Sequence, residues 1–432
     1  MSRRIKKNFT VYIFYFISYI LVFIMEDFEI ILNGEAEILN KPLEGAKKPE
    51  NVNREIDLSA PEDRYSRFRL IPWWDQELLK KSRILVVGAG ALGNEIIKNL
   101  ALLGIGHITV ADMDSIENTN LSRSVLYREK DEGRKKAEVA CETAMEINPH
   151  IKAVPFIGNV IYDLGIGEFQ NFDVVICGLD NREARLWINQ CCWRVSKPWI
   201  DGAIEVLNGT VKVFVPPYTA CYECTMNKTD YDMIAKRKAC SLLTRDQMLE
   251  GKIPTTPTTS SVIAGIECQE AVKLLHNRED LPTLAGKGYF FNGLTHDSFV
   301  TVFQKKEDCM SHETYENITE TDFDTDTPLR EVLERAKKDL GEEAVLSFPR
   351  EFVTEFQCNC GENRSVFRQL GRLKESDAKC RCGEIMNPVL CHTIDGREDF
   401  LDMTLGEFDI PKCDIIPACC GMKEMFYLMK RE

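Results

Sequence analysis

Arg83-Ile-Leu-Val-Val87 runs directly into Gly88-Ala-Gly90-Ala-Leu-Gly93, and an apolar segment continues to Leu103. The four residues after Arg83 are unbroken apolar sequence ended by glycine, which reads as a strand buried on both faces, as in a parallel sheet. The spaced glycines then open a helix over 91–103. They let the backbone approach a phosphate, and the helix N-terminus offers N–H donors and partial positive charge. Upstream, 73–80 reads as a short helix. Downstream, His107–Ala111 reads as a second strand ended by Asp112 and Asp114. A helix over 133–148, a strand over 152–157, a strand over 173–177, a helix over 182–195 and further strands over 199–215 follow. After Ala220 the pattern is irregular to about residue 260, then a helix runs over 261–275 and two strands lie within 289–303. Strands alternating with helices predict an α/β fold, a doubly wound and mainly parallel Rossmann-like sheet.

The 432-residue chain has length for more than one domain. Its hydrophobic fraction of 44% and charged fraction of 28% exclude wholesale disorder. With 54 Lys and Arg against 68 Asp and Glu, the net charge is −14, which excludes a general nucleic-acid binder. Many of the 17 cysteines stand in close pairs, and in a chain this long such pairs read as metal ligands before disulfides, favouring a reducing compartment.

A glycine loop with an acid at the end of the next strand would also suit a dehydrogenase, with Asp112 on a ribose. The surrounding residues discriminate. Asp112-x-Asp114 is followed by Asn120 and Arg123, then by Gly133-x-x-Lys136-Ala137, and later by Gly178-x-Asp180-Asn181. Cations that meet developing polyphosphate charge, and a carboxylate that holds magnesium, suit ATP cleavage rather than hydride transfer.

GAGALG, DMDSIENTNLSR, GRKKA and GLDN resemble the adenylation domain of ubiquitin-activating enzymes and their ThiF and MoeB relatives over roughly residues 63–312. The resemblance implies that a C-terminal glycine carboxylate attacks the α-phosphate of ATP, giving an acyl-adenylate and pyrophosphate. It makes Asp112 the ribose ligand, with Asp114 beside it. Asn120, Arg123 and Lys136 become phosphate ligands, and Asp180, followed by Asn181, the magnesium-associated carboxylate. Asp63-Arg-Tyr-Ser-Arg67 resembles the family's E-R-Y-S-R-Q box, whose last arginine reaches the ATP of a partner subunit; Asp63 and Phe68 depart from it. A homodimer is implied.

Cys221-x-x-Cys224 and Cys309-x-x-His312 together make a Cys3His set of the structural zinc kind, with His312 a departure from the family's second Cys-x-x-Cys. Cys358-x-Cys360 and Cys380-x-Cys382, each followed by glycine, suggest a second zinc, with redox cysteines the alternative. Cys240 follows Lys236, Arg237 and Lys238, whose positive charge favours a thiolate able to carry an acyl group as a thioester. In the family the reactive cysteine lies between the zinc-site Cys-x-x-Cys and a Pro-Thr-Thr-rich element. Here that element is 254–259, so Cys240 falls in the implied interval. Cys191, Cys192 and the competitor Cys268 read as helix packing.

The implied organisation is an apolar extension or anchor (1–25), an arm (26–62), an adenylation domain (63–318) with a catalytic-cysteine segment (225–260), an acidic linker (319–328) and a small zinc-containing α+β domain (329–432). That last domain has one helix and several short strands. By position it resembles the ubiquitin-fold domain with which larger activating enzymes capture a conjugating enzyme. The run from Phe9 to Met25 follows Arg3, Arg4, Lys6 and Lys7, the pattern of a signal anchor. The alternative is a start at Met25, which suits a cytoplasmic enzyme needing ATP and reduced cysteines. Three functional readings stand: activation of a ubiquitin-like protein through ATP, magnesium and a Cys240 thioester, with transfer to a conjugating enzyme; sulfur-carrier adenylylation without that transfer; and a silent binding subunit.

Overall fold

A computed structural model describes residues 45–48, 62–232 and 254–431. Residues 9–25, Cys240 and the part of the cysteine segment from 233 to 253 lie outside the described residues. The first unit is an eight-stranded sheet in the order β3-β2-β1-β4-β5-β6-β7-β8. β1 (Arg83–Val87), β2 (His107–Ala111), β3 (Lys152–Phe156), β4 (Val174–Cys177) and β5 (Trp199–Glu205) pair in parallel. β6 (Asn208–Phe214), β7 (Lys287–Asn292) and β8 (Asp297–Val302) extend it antiparallel.

The central strands are apolar without alternation because both faces are covered: β4 is buried at every position and β1 at all but Arg83. One face carries α2 (Ala91–Leu103), α3 (Lys136–Ile147) and α5 (Pro257–His276), whose Ile96, Ala140 and Ile263 meet Ile84, Val110 and Ile200. The other carries α4 (Arg182–Arg194), with Trp187 and Ile188 against Val175 and Cys177. α1 (Gln76–Lys81) begins later than the expected 73, because the Asp75 side chain caps it by accepting the Leu78 N–H. Similarly α3 starts at Lys136 rather than 133: Gly133 sits at φ +84°, outside helical space.

The second unit is a six-stranded sheet with α6 (Leu329–Leu340) against it. β9 (Ile318–Glu320) runs parallel to β14 (Lys423–Leu428), which forms a hairpin with β13 (Ile415–Cys420). β13 pairs with β10 (Val345–Gln357), and β10 also pairs with β11 (Asn363–Gln369) and β12 (Asn387–Ile394). The expectation of short strands fails for β10, which spans 13 residues and serves three neighbours by shifting register. Residues 319–328, expected as a linker, pack with this unit: the first two complete β9, and Phe323 lies in its core.

The two units share a core. Cys413, Ile415, Phe426 and Leu428 pack with Trp187, Ile166 and Phe169 on the α4 face of the large sheet, and Tyr315 stacks on Phe426. Arg350 crosses this boundary. It is buried, pairs with the buried Asp414, donates to the Leu164 carbonyl at 3.0 Å, and lies 4.6 Å from the Trp187 ring. Asp414 accepts the Ile166 N–H at 2.7 Å. A buried ion pair holds only when its remaining donors and acceptors are also met, as they are here.

Candidate functional site

Every parallel strand of the large sheet ends on the same edge, and the loops leaving β1, β2 and β4 meet there. Gly88 sits at φ +95°, and a Cβ on it would lie 2.7 Å from the Gly178 carbonyl oxygen in the β4 loop. A Cβ on Gly93 would lie 1.9 Å from the Gly88 oxygen, so the turn into α2 closes only without side chains there. Gly90 is the α2 N-cap, leaving the first N–H groups of that helix facing the edge. The Asp112 carboxylate accepts N–H groups from Ala89 at 2.7 Å and from Asp114 at 2.8 Å, so it ties the glycine loop to the end of β2. Burial raises its pKa, while those N–H groups and Lys136 act the other way. Free lone pairs remain on both oxygens for a ribose.

Lys136 Nζ pairs with Asp114 at 2.9 Å, and its side chain is only 13% exposed. Asn120 Oδ1 accepts the Glu117 N–H, and Arg123 donates to the Thr119 carbonyl at 2.6 Å, which rigidifies the loop between β2 and α3. Asp180 is exposed after β4, and Asn181 caps α4 through the Glu183 N–H at 2.9 Å. The glycines, Asp112, Asp114, Lys136, Asp180 and Asn181 therefore belong to loops at one edge of the sheet. An anion with a bound cation suits this edge: backbone N–H donors, a lysine and an exposed carboxylate face it.

Arg67 is elsewhere. Asn148 donates to the Tyr65 hydroxyl at 2.7 Å and Arg64 to the Ile147 carbonyl at 3.2 Å, and Tyr65 covers Gly104. Gly104 and Asn148 close the C-terminal ends of α2 and α3. α2 has 13 residues, so this anchor lies roughly 20 Å from the glycine loop at its other end. The exposed Arg67 therefore has no short route to the glycine-loop edge of its own chain.

Both cysteine quartets come together. In the first, Cys221 Sγ lies 3.7 Å from Cys224 Sγ and 3.5 Å from Cys309 Sγ, and Cys224 Sγ lies 3.3 Å from His312 Nε2. The Trp193 ring stacks on His312 at 4.1 Å and fixes its plane. In the second, Cys358 lies 3.6 Å from Cys382 and Cys360 lies 3.5 Å from Cys380. Gly361 and Gly383 each donate back to the first cysteine of their pair, at 2.9 and 3.0 Å, so two like turns face each other. Ligand atoms within each quartet all lie within 4.8 Å of one another. Zinc–thiolate bonds of about 2.3 Å put tetrahedral sulfurs about 3.8 Å apart, so both donor sets fit a closed zinc site. Cys191, Cys192 and Cys268 are buried as expected, and burial pushes the Cys191 thiol up to about 12.

The sequence reading missed several buried polar groups. Arg185 pairs with Asp201 at 2.7 Å and holds the Gly202 carbonyl at 3.0 Å beside the β4 loop. Glu267 on α5 is fully buried, and neither oxygen has a hydrogen-bond partner. Glu223 lies between Cys221 and Cys224 and accepts from Tyr231 and Ser311. Only for Glu223 did a local signal exist, its position inside the Cys-x-x-Cys.

A family model described as the ThiF family matches residues 63–311, more than half of the chain. The NEDD8-activating enzyme E1 catalytic subunit of Schizosaccharomyces pombe is 39% identical over 193 residues, covering 43% of this chain and 40% of that protein. The protein of the same name from Caenorhabditis elegans is 38% identical over 185 residues, covering 38% of this chain and 42% of that one. The matched region thus spans about two fifths of these curated relatives. Among solved structures, that of E. coli MccB with ATP superposes with a TM-score of 0.50 at 24% identity, covering 60% of this chain and 76% of that one, a likeness of fold. Among the described residues no helix is long and apolar enough to cross a membrane.

Proposed function

The chain belongs to the ThiF family, and from that premise we propose that it activates a ubiquitin-like protein. The C-terminal glycine carboxylate of the modifier attacks the α-phosphate of ATP, giving the acyl-adenylate and pyrophosphate. The Cys240 thiolate then attacks the acyl carbon, AMP leaves, and the modifier is held as a thioester until a conjugating enzyme's cysteine takes it. The observation that carries this reading is the gathering of Gly88, Gly90, Gly93, Asp112, Lys136 and Asp180 at one edge of the sheet.

In this reading Asp112 holds the ribose, and Asn120, Arg123 and Lys136 receive the phosphates, Lys136 exchanging Asp114 for them. Asp180 would hold magnesium, which when bound neutralises charge on the phosphates. The distance of Arg67 from its own glycine loop supports a homodimer in which Arg67 serves the other protomer's nucleotide. Zinc is the metal we assign to both quartets, as a structural ion. The unit from 318 onward is the surface we assign to the conjugating enzyme. A reducing, ATP-containing compartment, the cytoplasm, suits the free thiols. Similarity to relatives named as NEDD8-activating subunits supports this over a sulfur-carrier enzyme, as does the basic run Lys236-Arg237-Lys238 before Cys240.

Cys240→Ala should retain ATP–pyrophosphate exchange and abolish a thiol-sensitive adduct with a ubiquitin-like protein. A persistent adduct would reject Cys240 as nucleophile. Asp180→Ala should remove both activities; loss of the adduct alone would contradict its magnesium role.

A further inference from the structure

Two side chains at the start of the cysteine segment are tied to different parts of the first unit. A helical turn at residues 228–232 follows the Cys221–Cys224 loop. Asn227 and Asp230 close it reciprocally, each side chain accepting the other's N–H at 3.1 Å. From this turn the Tyr231 hydroxyl donates to Glu223 Oε1 at 2.9 Å. Glu223 is buried between two metal-site cysteines, and its other oxygen accepts from Ser311, which lies between Cys309 and His312. One carboxylate thus joins both halves of the quartet to Tyr231. On the neighbouring residue, Asp230 Oδ1 lies 3.1 Å from Arg182 Nε, directly after Asp180 and Asn181 at the nucleotide edge.

We propose that Glu223 and Tyr231 are positioning residues that transmit the geometry of the metal quartet to the chain leading to Cys240, with Asp230 and Arg182 as a second tie to the nucleotide edge. The proposal rests on the reading of Cys240 as the nucleophile. Cys240 follows Tyr231 by nine residues, so the tie at residue 231 fixes the point from which the chain to the thiol departs. The Glu223 carboxylate accepts from two hydroxyl groups while buried, and such charge-assisted bonds are the stronger kind, so the tie is a firm one. Tyr231 is 44% exposed, so removing its hydroxyl deletes the tie without opening a cavity.

The test is Tyr231→Phe in the full chain, probed by limited trypsin digestion at Lys228, inside the helical turn that Tyr231 ties down. Cleavage there should rise about tenfold, the scale of one lost charged hydrogen bond in a local opening. Metal content and ATP–pyrophosphate exchange should match the native protein, while the rate of thioester formation falls. Chelating the metal from the native protein should raise the same cleavage. Unchanged cleavage in Tyr231→Phe, or a rise accompanied by loss of metal or of exchange, would overturn the proposal. A native protein that forms no thioester would defeat the Cys240 reading alone, since digestion still reports the tie.

Discussion

Replacing Glu267 with glutamine should stabilise this protein, and by more as the pH rises. The residue sits on α5 with no exposed surface, and neither carboxyl oxygen meets a donor. A Cβ on Gly202 would lie 2.5 Å from its carboxyl carbon, so the glutamate fills the space that this glycine leaves. Burial first, and then Asp201, hold its pKa well above the usual carboxylate range; Arg185 acts the other way but is already paired with Asp201. In the unfolded chain the same group ionises at about 4.3. Below that pH both states carry the proton and the carboxyl adds no pH dependence. Above it the unfolded chain releases a proton that the folded chain keeps, so native stability falls as pH rises toward the folded pKa. While the folded carboxyl stays protonated, the loss approaches about 1.36 kcal/mol for each pH unit above the unfolded pKa. Glutamine has nearly the same shape and nothing to titrate, and the other groups cancel in the comparison. Urea unfolding of the two proteins at pH 5, 6 and 7 should show a gap that widens in favour of Glu267→Gln. A gap that stays flat would refute the buried neutral carboxyl.

Two further substitutions test the frame around the site. Gly93→Ala places a methyl group 1.9 Å from the Gly88 oxygen, so the glycine loop must shift; ATP–pyrophosphate exchange should fall about 100-fold with the circular dichroism spectrum unchanged, and exchange near the native rate would contradict the close approach. Asp414→Ala leaves Arg350 buried without its carboxylate and should cost about 3–5 kcal/mol in thermal or urea unfolding, much of it recovered when Arg350→Met is added; a loss below about 1 kcal/mol would mean that the pair does not hold the units together.

The central strands were legible because burial on both faces leaves no room for polar alternation. β1 and β2 fall where the apolar runs predict, and so does α2. Boundaries failed where one residue's backbone decided them. Thr256 caps α5 through the Thr259 N–H and Pro257 occupies its first turn, so the helix begins inside an element read as preceding it. Residues 319–328 misled by composition, since their acids suggested solvent while β9 pairs with a strand more than 100 residues later, for which no local signal exists. The close pairs of both quartets were visible in the spacing, and the structure brings each set of four together. Arg185 with Asp201, Arg350 with Asp414, and Glu267 were not visible. A charged residue looks like surface until the tertiary structure surrounds it.

The Arg350 contact also bears on how the second unit can be studied. Trp187, which Arg350 covers, lies on α4, and α4 begins at Arg182 immediately after Asp180 and Asn181. α4 therefore links the loop that carries the exposed Asp180 to the seat of the second unit. Removing that unit would bare Trp187 and Tyr315, strip Ile166 of its acceptor and leave the large sheet without much of its cover on that face. Lost transfer in such a truncation would not distinguish a missing docking surface from a damaged nucleotide edge. Point substitutions on the exposed side of the second unit make the distinction, because they leave the Arg350 contact and the start of α4 intact.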